Sequence, residues 1–324
     1  REDIIRASDT TSNPEAVDTL ARYGPETVRR FLIEELRVPF DQEDSGELKR
    51  TREGGHSTKR IIFAKDTTGH SILQSVHRGV AEQPRVTVLH RHMGIDLLTL
   101  SHNSANPLDK YKKLTCIGAY CLNTNTGETV AILAKKTILA TGGCGQVFLN
   151  TTNQKGAVGH GIAMAYRVGA RVIDMEYVQF HPTAFSRKNT PAFLVSEAVR
   201  GEGGVLINAA GEPFMEDKHE LASLAPRDIV ARAIHEELTL RGDSCVYIDL
   251  ASNKPAAYIK DRFPATYGRC LQHGVDITRQ PIPVSPAAHY LCGGIHADMQ
   301  GRTNILHLNA IGECAGTGLH GANR

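Results

Sequence analysis

Nothing in these 324 residues favours one sign of charge: 37 Lys and Arg against 35 Asp and Glu leave a formal +2. There is thus no electrostatic case for a nucleic-acid or membrane-surface partner. No apolar run approaches the ~18 residues that a transmembrane helix needs. The seven cysteines are scattered and form no C-x-x-C pair. That pattern argues against a disulfide framework and against a structural zinc site, and it suits a reducing cytoplasm. A phosphate loop of the G-x-x-x-x-G-K-[ST] type is missing, and no glycine fingerprint opens an early strand–helix unit. The run Gly159-His160-Gly161-Ile162-Ala163-Met164 puts Met where a third glycine belongs, inside a helical pattern. The chain begins at Arg1 without a signal segment and stops at Gly321-Ala322-Asn323-Arg324, which reads as a piece of a longer protein.

What is present is ordinary globular composition, 41% apolar and 22% charged, with length enough for two domains or one with an insertion. Residues 1–40 carry apolar positions at helical spacing (Val28, Phe31, Leu32, Leu36), punctuated by Asn13-Pro14 and Pro39. The polar, Gly-bearing stretch 41–60 predicts loop. A helix is predicted over Ser71–Ala81, a short strand over Arg85–His90, and its continuation over Asp96–Leu100. Ile117–Leu122, Thr129–Ala134 and Lys136–Ala140 predict a β-meander that ends in Ala140-Thr141-Gly142-Gly143. Gly156–Gly169 predicts a helix whose Gly161, Ala165 and Gly169 form a small-residue face, suited to close packing on a sheet or cofactor. Strands alternating with helices predict an α/β class. From about Met175 to Tyr290 the texture changes to embedded His, Arg, Glu and Pro around a long helix, Pro226–Leu240. The expected organisation is a cofactor domain split into 1–174 and 291–324 by an inserted domain at 175–290.

Several short constellations carry chemistry. Gln179-Phe180-His181-Pro182-Thr183 offers a histidine that, taken alone, is better read as a satisfied core or turn residue. In Ser196-Glu197-Ala198-Val199-Arg200-Gly201, Glu197 and Arg200 share a helix face. Their apolar neighbours Phe193, Leu194 and Val195 argue against a surface ion pair. In Ala225-Pro226-Arg227-Asp228, Pro226 suits the first position of a helix. Arg227 then stands at a helix N-terminus, where the dipole disfavours a cation, and such a conflict is expected at a functional site. Pro286-Ala287-Ala288-His289-Tyr290 and Gly318-Leu319-His320-Gly321-Ala322-Asn323-Arg324 add two more. His181, Arg227, His289 and Arg324 together suit a small dicarboxylate, because an arginine fork matches a carboxylate bidentately.

In this order, A-T-G-G, Q-F-H-P-T, S-E-A-V-R-G-E-G-G, A-P-R-D-I-V-A-R-A-I, P-A-A-H-Y, A-I-G-E and G-L-H-G-A-N-R resemble the succinate dehydrogenase/fumarate reductase flavoprotein family over nearly the whole chain. With Arg52-Glu53-Gly54-Gly55-His56-Ser57 they look most like its aspartate-oxidising members. The resemblance implies a discontinuous, incomplete Rossmann-like FAD-binding domain with an inserted α+β capping domain. It also implies FAD contacts at Val88, Ala140, Thr141, Gly142, Gly143, His160 and Glu313. Arg227 matches the catalytic proton-transfer residue, and Glu197 and Arg200 match the relay that serves it. His181, Ser196, His289 and Arg324 match substrate-binding positions, with Ser196 where Thr is usual. The implied reaction is oxidation of L-aspartate to iminoaspartate with oxygen or fumarate as acceptor, and hand-over to quinolinate synthase in NAD biosynthesis. The alternatives are a fumarate reductase or succinate dehydrogenase flavoprotein subunit with an iron–sulfur partner, or an inactive truncated domain. Two positions depart from the family: His160 stands for an Asp, and His307 stands for a Gly. The N-terminal fingerprint and C-terminal helices of the family are not among these residues, so the chain by itself is expected to lack its main grip on the FAD pyrophosphate.

Glu53 is the physical reason to expect aspartate rather than succinate. Both ligands carry two carboxylates, but only aspartate carries an ammonium for which a nearby carboxylate is attractive. At ~4 Å and an effective dielectric of ~20 such a pair is worth about 4 kcal/mol before desolvation. A third of that shifts affinity about tenfold.

Overall fold

The computed structural model describes residues 1–52 and 56–324, which leaves Glu53, Gly54 and Gly55 outside the described residues. The chain opens on helices Glu2–Ala7 and Pro14–Thr27. Asn13 caps the second by accepting the Glu15 N–H, and Pro14 supplies a preset φ at its first turn. This helix runs on as a wider π turn, Val28–Glu35. A small hairpin follows, Arg50–Thr51 against Ile61–Ile62. The next helix spans Thr68–Ala81.

The strand expected at Arg85–His90 is not there. That stretch is irregular, and Val86, Val88 and Leu89 are about half exposed. Arg91 takes φ +58°, which breaks extended chain, and a single strand then runs His92–Thr99. It pairs antiparallel with Cys116–Asn123, which pairs with Thr129–Leu133. Lacking a partner strand, 85–90 has β-type side chains without the pairing that makes such propensity count. The expected third arm of the meander also goes elsewhere. Thr137–Leu139 pairs in parallel with Leu308–Ala310 from the far end of the chain.

Two hydrophobic cores organise the remainder. One gathers residues from 97–170 and 291–314, with Leu97, Leu139, Ile162, Met164, Leu291, Ile295 and Leu308 among them. The other draws wholly on 185–284, around Phe185, Phe193, Leu206, Ile234, Ile248, Phe263 and Val284. A four-stranded antiparallel sheet belongs to the second. Its order is Val178–Phe185, Ile282–Leu291, Val246–Asp249, Val205–Ile207. The two long strands of this sheet run from one core to the other. Val178 and Leu291 pack in the first core, while Phe185 and Val284 pack in the second. Helix Arg227–Arg241 packs on the same strands and ends where Gly242 adopts φ +70°. Pro226 caps this helix from outside, and Arg227 takes the first helical position expected for the proline.

The helix expected over 156–169 is shorter, His160–Arg167, because Gly159 and Gly169 both take left-handed φ values at its ends. Gly316-Thr317-Gly318-Leu319-His320-Gly321 has the G-x-G-x-x-G spacing. It leaves a strand but enters turns, not a helix, so it provides no helix N-terminus for a phosphate.

Candidate functional site

The two long strands bring the first histidines together. His181 lies opposite Ala287, and the pairing slips between Ala288 and Tyr290, so His289 is the extra residue of a β-bulge. Bulges re-aim side chains, and here the His181 and His289 rings come to 5.1 Å between centroids. His181 is 1% exposed. Its Nδ1 accepts the backbone N–H of Thr183 at 3.2 Å. The proton of the neutral ring is thereby left to Nε2, which is buried and has no hydrogen-bond partner among the described residues. Burial, then the charge of Arg227, then His289 and Arg200 hold the His181 pKa well below 6.5. His289 is pushed down to about 4 by burial and by the charges of Arg227 and Arg324.

Glu197, Arg200 and Arg227 form one buried chain of charge. Ser196 starts the short helix Glu197–Gly201 by accepting the Ala198 N–H, and this turns Glu197 inward. Glu197 meets Arg227 Nε at 2.5 Å and Arg200 Nη2 at 3.5 Å. Arg200 also donates to the Ser223 carbonyl at 2.7 Å. The side chains of Glu197 and Arg200 are sealed at 2% and 0% exposure, whereas Arg227 keeps 20%. Arg200, Arg227 and Arg324 thus bring three guanidiniums near Glu197 and the two rings, positive charge suited to an anionic ligand.

Gln179 is a member that sequence reasoning quoted without a role. It is buried, accepts from Arg227 Nη1 at 3.2 Å, and donates to the Arg324 carbonyl at 2.8 Å and to Asn323 at 3.2 Å. The Arg324 guanidinium lies over the Tyr290 ring, 4.4 Å from its centroid. Glu53, expected at the substrate ammonium, lies outside the described residues.

A second group meets the end of the same strand. The Ala140–Gly143 turn follows strand Thr137–Leu139. Gly142 takes φ +74° and faces open space, where an added Cβ would touch nothing. At Gly143 a Cβ would fall 2.3 Å from Glu313 Oε1, and at Gly161 it would fall 2.1 Å from Thr141 Oγ1. Glu313 Oε1 is held by the Leu291 N–H at 3.0 Å. His160 is the first residue of helix His160–Arg167. Gly143 and Gly161 thus make room for Glu313 and Thr141, and Gly142 leaves bare backbone facing open space with the Glu313 carboxylate beside it. That shape fits a flat, hydroxyl-bearing cofactor such as FAD. Val88 stays half exposed in irregular chain and not on a strand beside this turn.

The FAD binding domain family model matches residues 1–324. An L-aspartate oxidase 1 of Ralstonia nicotianae is 48% identical over 92% of this chain and 57% of its own length. An L-aspartate oxidase of Pseudomonas aeruginosa is 44% identical over 100% of this chain and 60% of its own. The chain therefore spans under two thirds of the curated relatives it matches. Among solved structures, an E. coli quinol fumarate reductase superposes with a TM-score of 0.89 at 30% identity, covering 100% of this chain and 55% of that one.

Proposed function

The chain belongs to the FAD binding domain family, and on that premise we propose that it oxidises L-aspartate to iminoaspartate, with oxygen or fumarate as the final acceptor. The observation that carries this reading is the buried Nε2 of His181, which has no hydrogen-bond partner among the described residues, beside the His289 ring and the Arg227 charge. An isolated buried donor is unfavourable by about 1–3 kcal/mol unless a ligand takes its hydrogen bond. FAD, when bound, supplies the two-electron acceptor for the hydride that leaves Cα.

The chain's own side chains account for binding and proton handling. The His181 and His289 rings and the Arg324 fork meet the two carboxylates. Arg227 is the member of the buried charge chain that keeps contact with the open side, so the substrate meets its guanidinium. Glu197 and Arg200 stand behind it, where they orient Arg227 and replace a proton that it gives up in the fumarate-reducing direction. Glu53 takes the ammonium in this reading.

The two cores, joined by two crossing strands, support a division into cofactor segments 1–174 and 291–324 and a capping segment 175–290, with the site on the joining strands. The likeness to a quinol fumarate reductase supports one second reading, a subunit acting on succinate or fumarate.

An assay of the FAD-loaded protein tests the choice. L-Aspartate is expected to be consumed with imine formation, and succinate to be oxidised at least about tenfold more slowly. Faster succinate oxidation would replace the aspartate reading with the second one.

A further inference from the structure

The loop at 150–153 grips the bulge that carries His289 through five hydrogen bonds. Asn150 O accepts the Ala288 N–H at 2.9 Å. The Thr152 N–H and the Thr151 hydroxyl donate to the Ala288 carbonyl at 3.0 and 2.9 Å. Asn153 Nδ2 donates to the His289 carbonyl at 2.7 Å. Finally, the Thr152 hydroxyl lies 2.7 Å from His289 Nδ1.

The direction of that last hydrogen bond follows from the other acceptor within reach. Thr152 Oγ1 is 3.5 Å from the Ala288 carbonyl, a long contact to an oxygen that already accepts two shorter bonds. The hydroxyl proton therefore goes to Nδ1. A neutral imidazole that accepts at Nδ1 carries its own proton at Nε2. His181 shows the same arrangement built with backbone, since its Nδ1 accepts the Thr183 N–H. A carboxylate only accepts, so a ring with a bare Nε2 would repel it, and the two locked rings face it with N–H.

We propose that Thr152 is a positioning residue that fixes His289 as its Nε2–H tautomer, presenting a donor to a substrate carboxylate. This rests on the dicarboxylate reading of the site given above. Thr152 does not touch the substrate; it acts through the ring.

The test uses the FAD-loaded protein labelled with 15N-histidine, with the His289 ring signals assigned by their loss in His289→Gln. The unsubstituted protein and Thr152→Ser are expected to show a protonated Nε2 and a bare Nδ1. Thr152→Val, which keeps the shape and drops the hydroxyl, is expected to show both tautomers. It should also raise KM for L-aspartate about tenfold while kcat stays within about twofold, and Thr152→Ser should restore KM. Binding of succinate, followed as a flavin difference spectrum, should weaken about as much in Thr152→Val. If L-aspartate is not turned over but succinate binding still weakens in this way, the aspartate assignment fails and the role of Thr152 stands. A pure Nε2–H signal in Thr152→Val, or unchanged binding of both ligands, overturns the proposal.

Discussion

Glu197 lies between two guanidiniums with almost no access to water, and that placement decides what single substitutions do. Glu197→Gln keeps the shape and removes the charge, leaving Arg200 and Arg227 to repel across an amide. Breaking a buried ion pair by removing one partner destabilises by about 3–5 kcal/mol, and a loss of that order is expected in urea unfolding. Arg227→Leu is expected to lower fumarate reduction by several powers of ten with a much smaller change in dicarboxylate binding, as steady-state kinetics would show. A rise in KM alone would make Arg227 a binding group. Glu53→Gln is expected to weaken use of aspartate about tenfold relative to fumarate, because only the ammonium needs that charge. At this scale the sequence was informative where residues sit in one short run, as Glu197 and Arg200 do. Thr152 and Gln179 escaped it. Their partners His289 and Arg227 are remote in the chain, and no spacing rule links a threonine to a ring that only a bulge brings near.

Elements were legible where their own residues stabilise them. Thr68–Ala81 and Arg227–Arg241 lie close to the helices expected over Ser71–Ala81 and Pro226–Leu240, while the spacing of Val28, Phe31, Leu32 and Leu36 falls on the π turn Val28–Glu35 that continues Pro14–Thr27. Short strands were not, since pairing decides them. Thr137–Leu139 looks like the next arm of a meander until Leu308–Ala310 arrives from the other end of the chain, while Arg85–His90 finds no partner. The pair Thr137–Leu139 and Leu308–Ala310 also carries a local strain. His307 precedes it at φ +63°, and its carbonyl accepts the Thr137 N–H at 2.9 Å, so the left-handed turn is fixed by the pairing it starts. A side chain in that conformation is disfavoured by roughly 1–2 kcal/mol, and glycine is not. His307→Gly is therefore expected to stabilise by about 1 kcal/mol after its greater unfolded-state entropy is subtracted. The urea midpoint measures it, and a lower midpoint would mean that the imidazole contributes more than the turn loses.

Across the whole molecule, the site gathers buried neutral histidines beside buried positive charge, and this couples folding to pH. Burial, with the Arg324 charge, pushes His320 down to about 4, and burial with Arg227 and Arg324 does the same to His289. His181 is lowered well below its usual value by burial first and by Arg227 next. In the unfolded chain each ring takes up its proton near pH 6.5. Between about 6.5 and 4 the unfolded state therefore binds more protons than the folded one, and stability falls as pH falls through that window. Well above 6.5 both states are neutral at these rings and the contribution is constant. One ring shifted to about 4 has an upper limit of about 3 kcal/mol, so the rings together are expected to remove several kcal/mol by pH 4.5. Half-buried carboxylates such as Asp276 and Asp298, held below their ordinary value by hydrogen bonds, lose their contribution only as pH falls from about 4 downward, which leaves most of this window to the histidines. Urea midpoints at pH 7.5, 6.5, 5.5 and 4.5 should fall slightly between the first two, where the unfolded rings are half protonated, and then steeply. If His181 and His289 meet the dicarboxylate as proposed, its affinity should show no break at 6.5, because both rings stay neutral there. A binding curve that strengthens on acidification through 6.5 would show instead that His289 or His181 meets the ligand as an imidazolium.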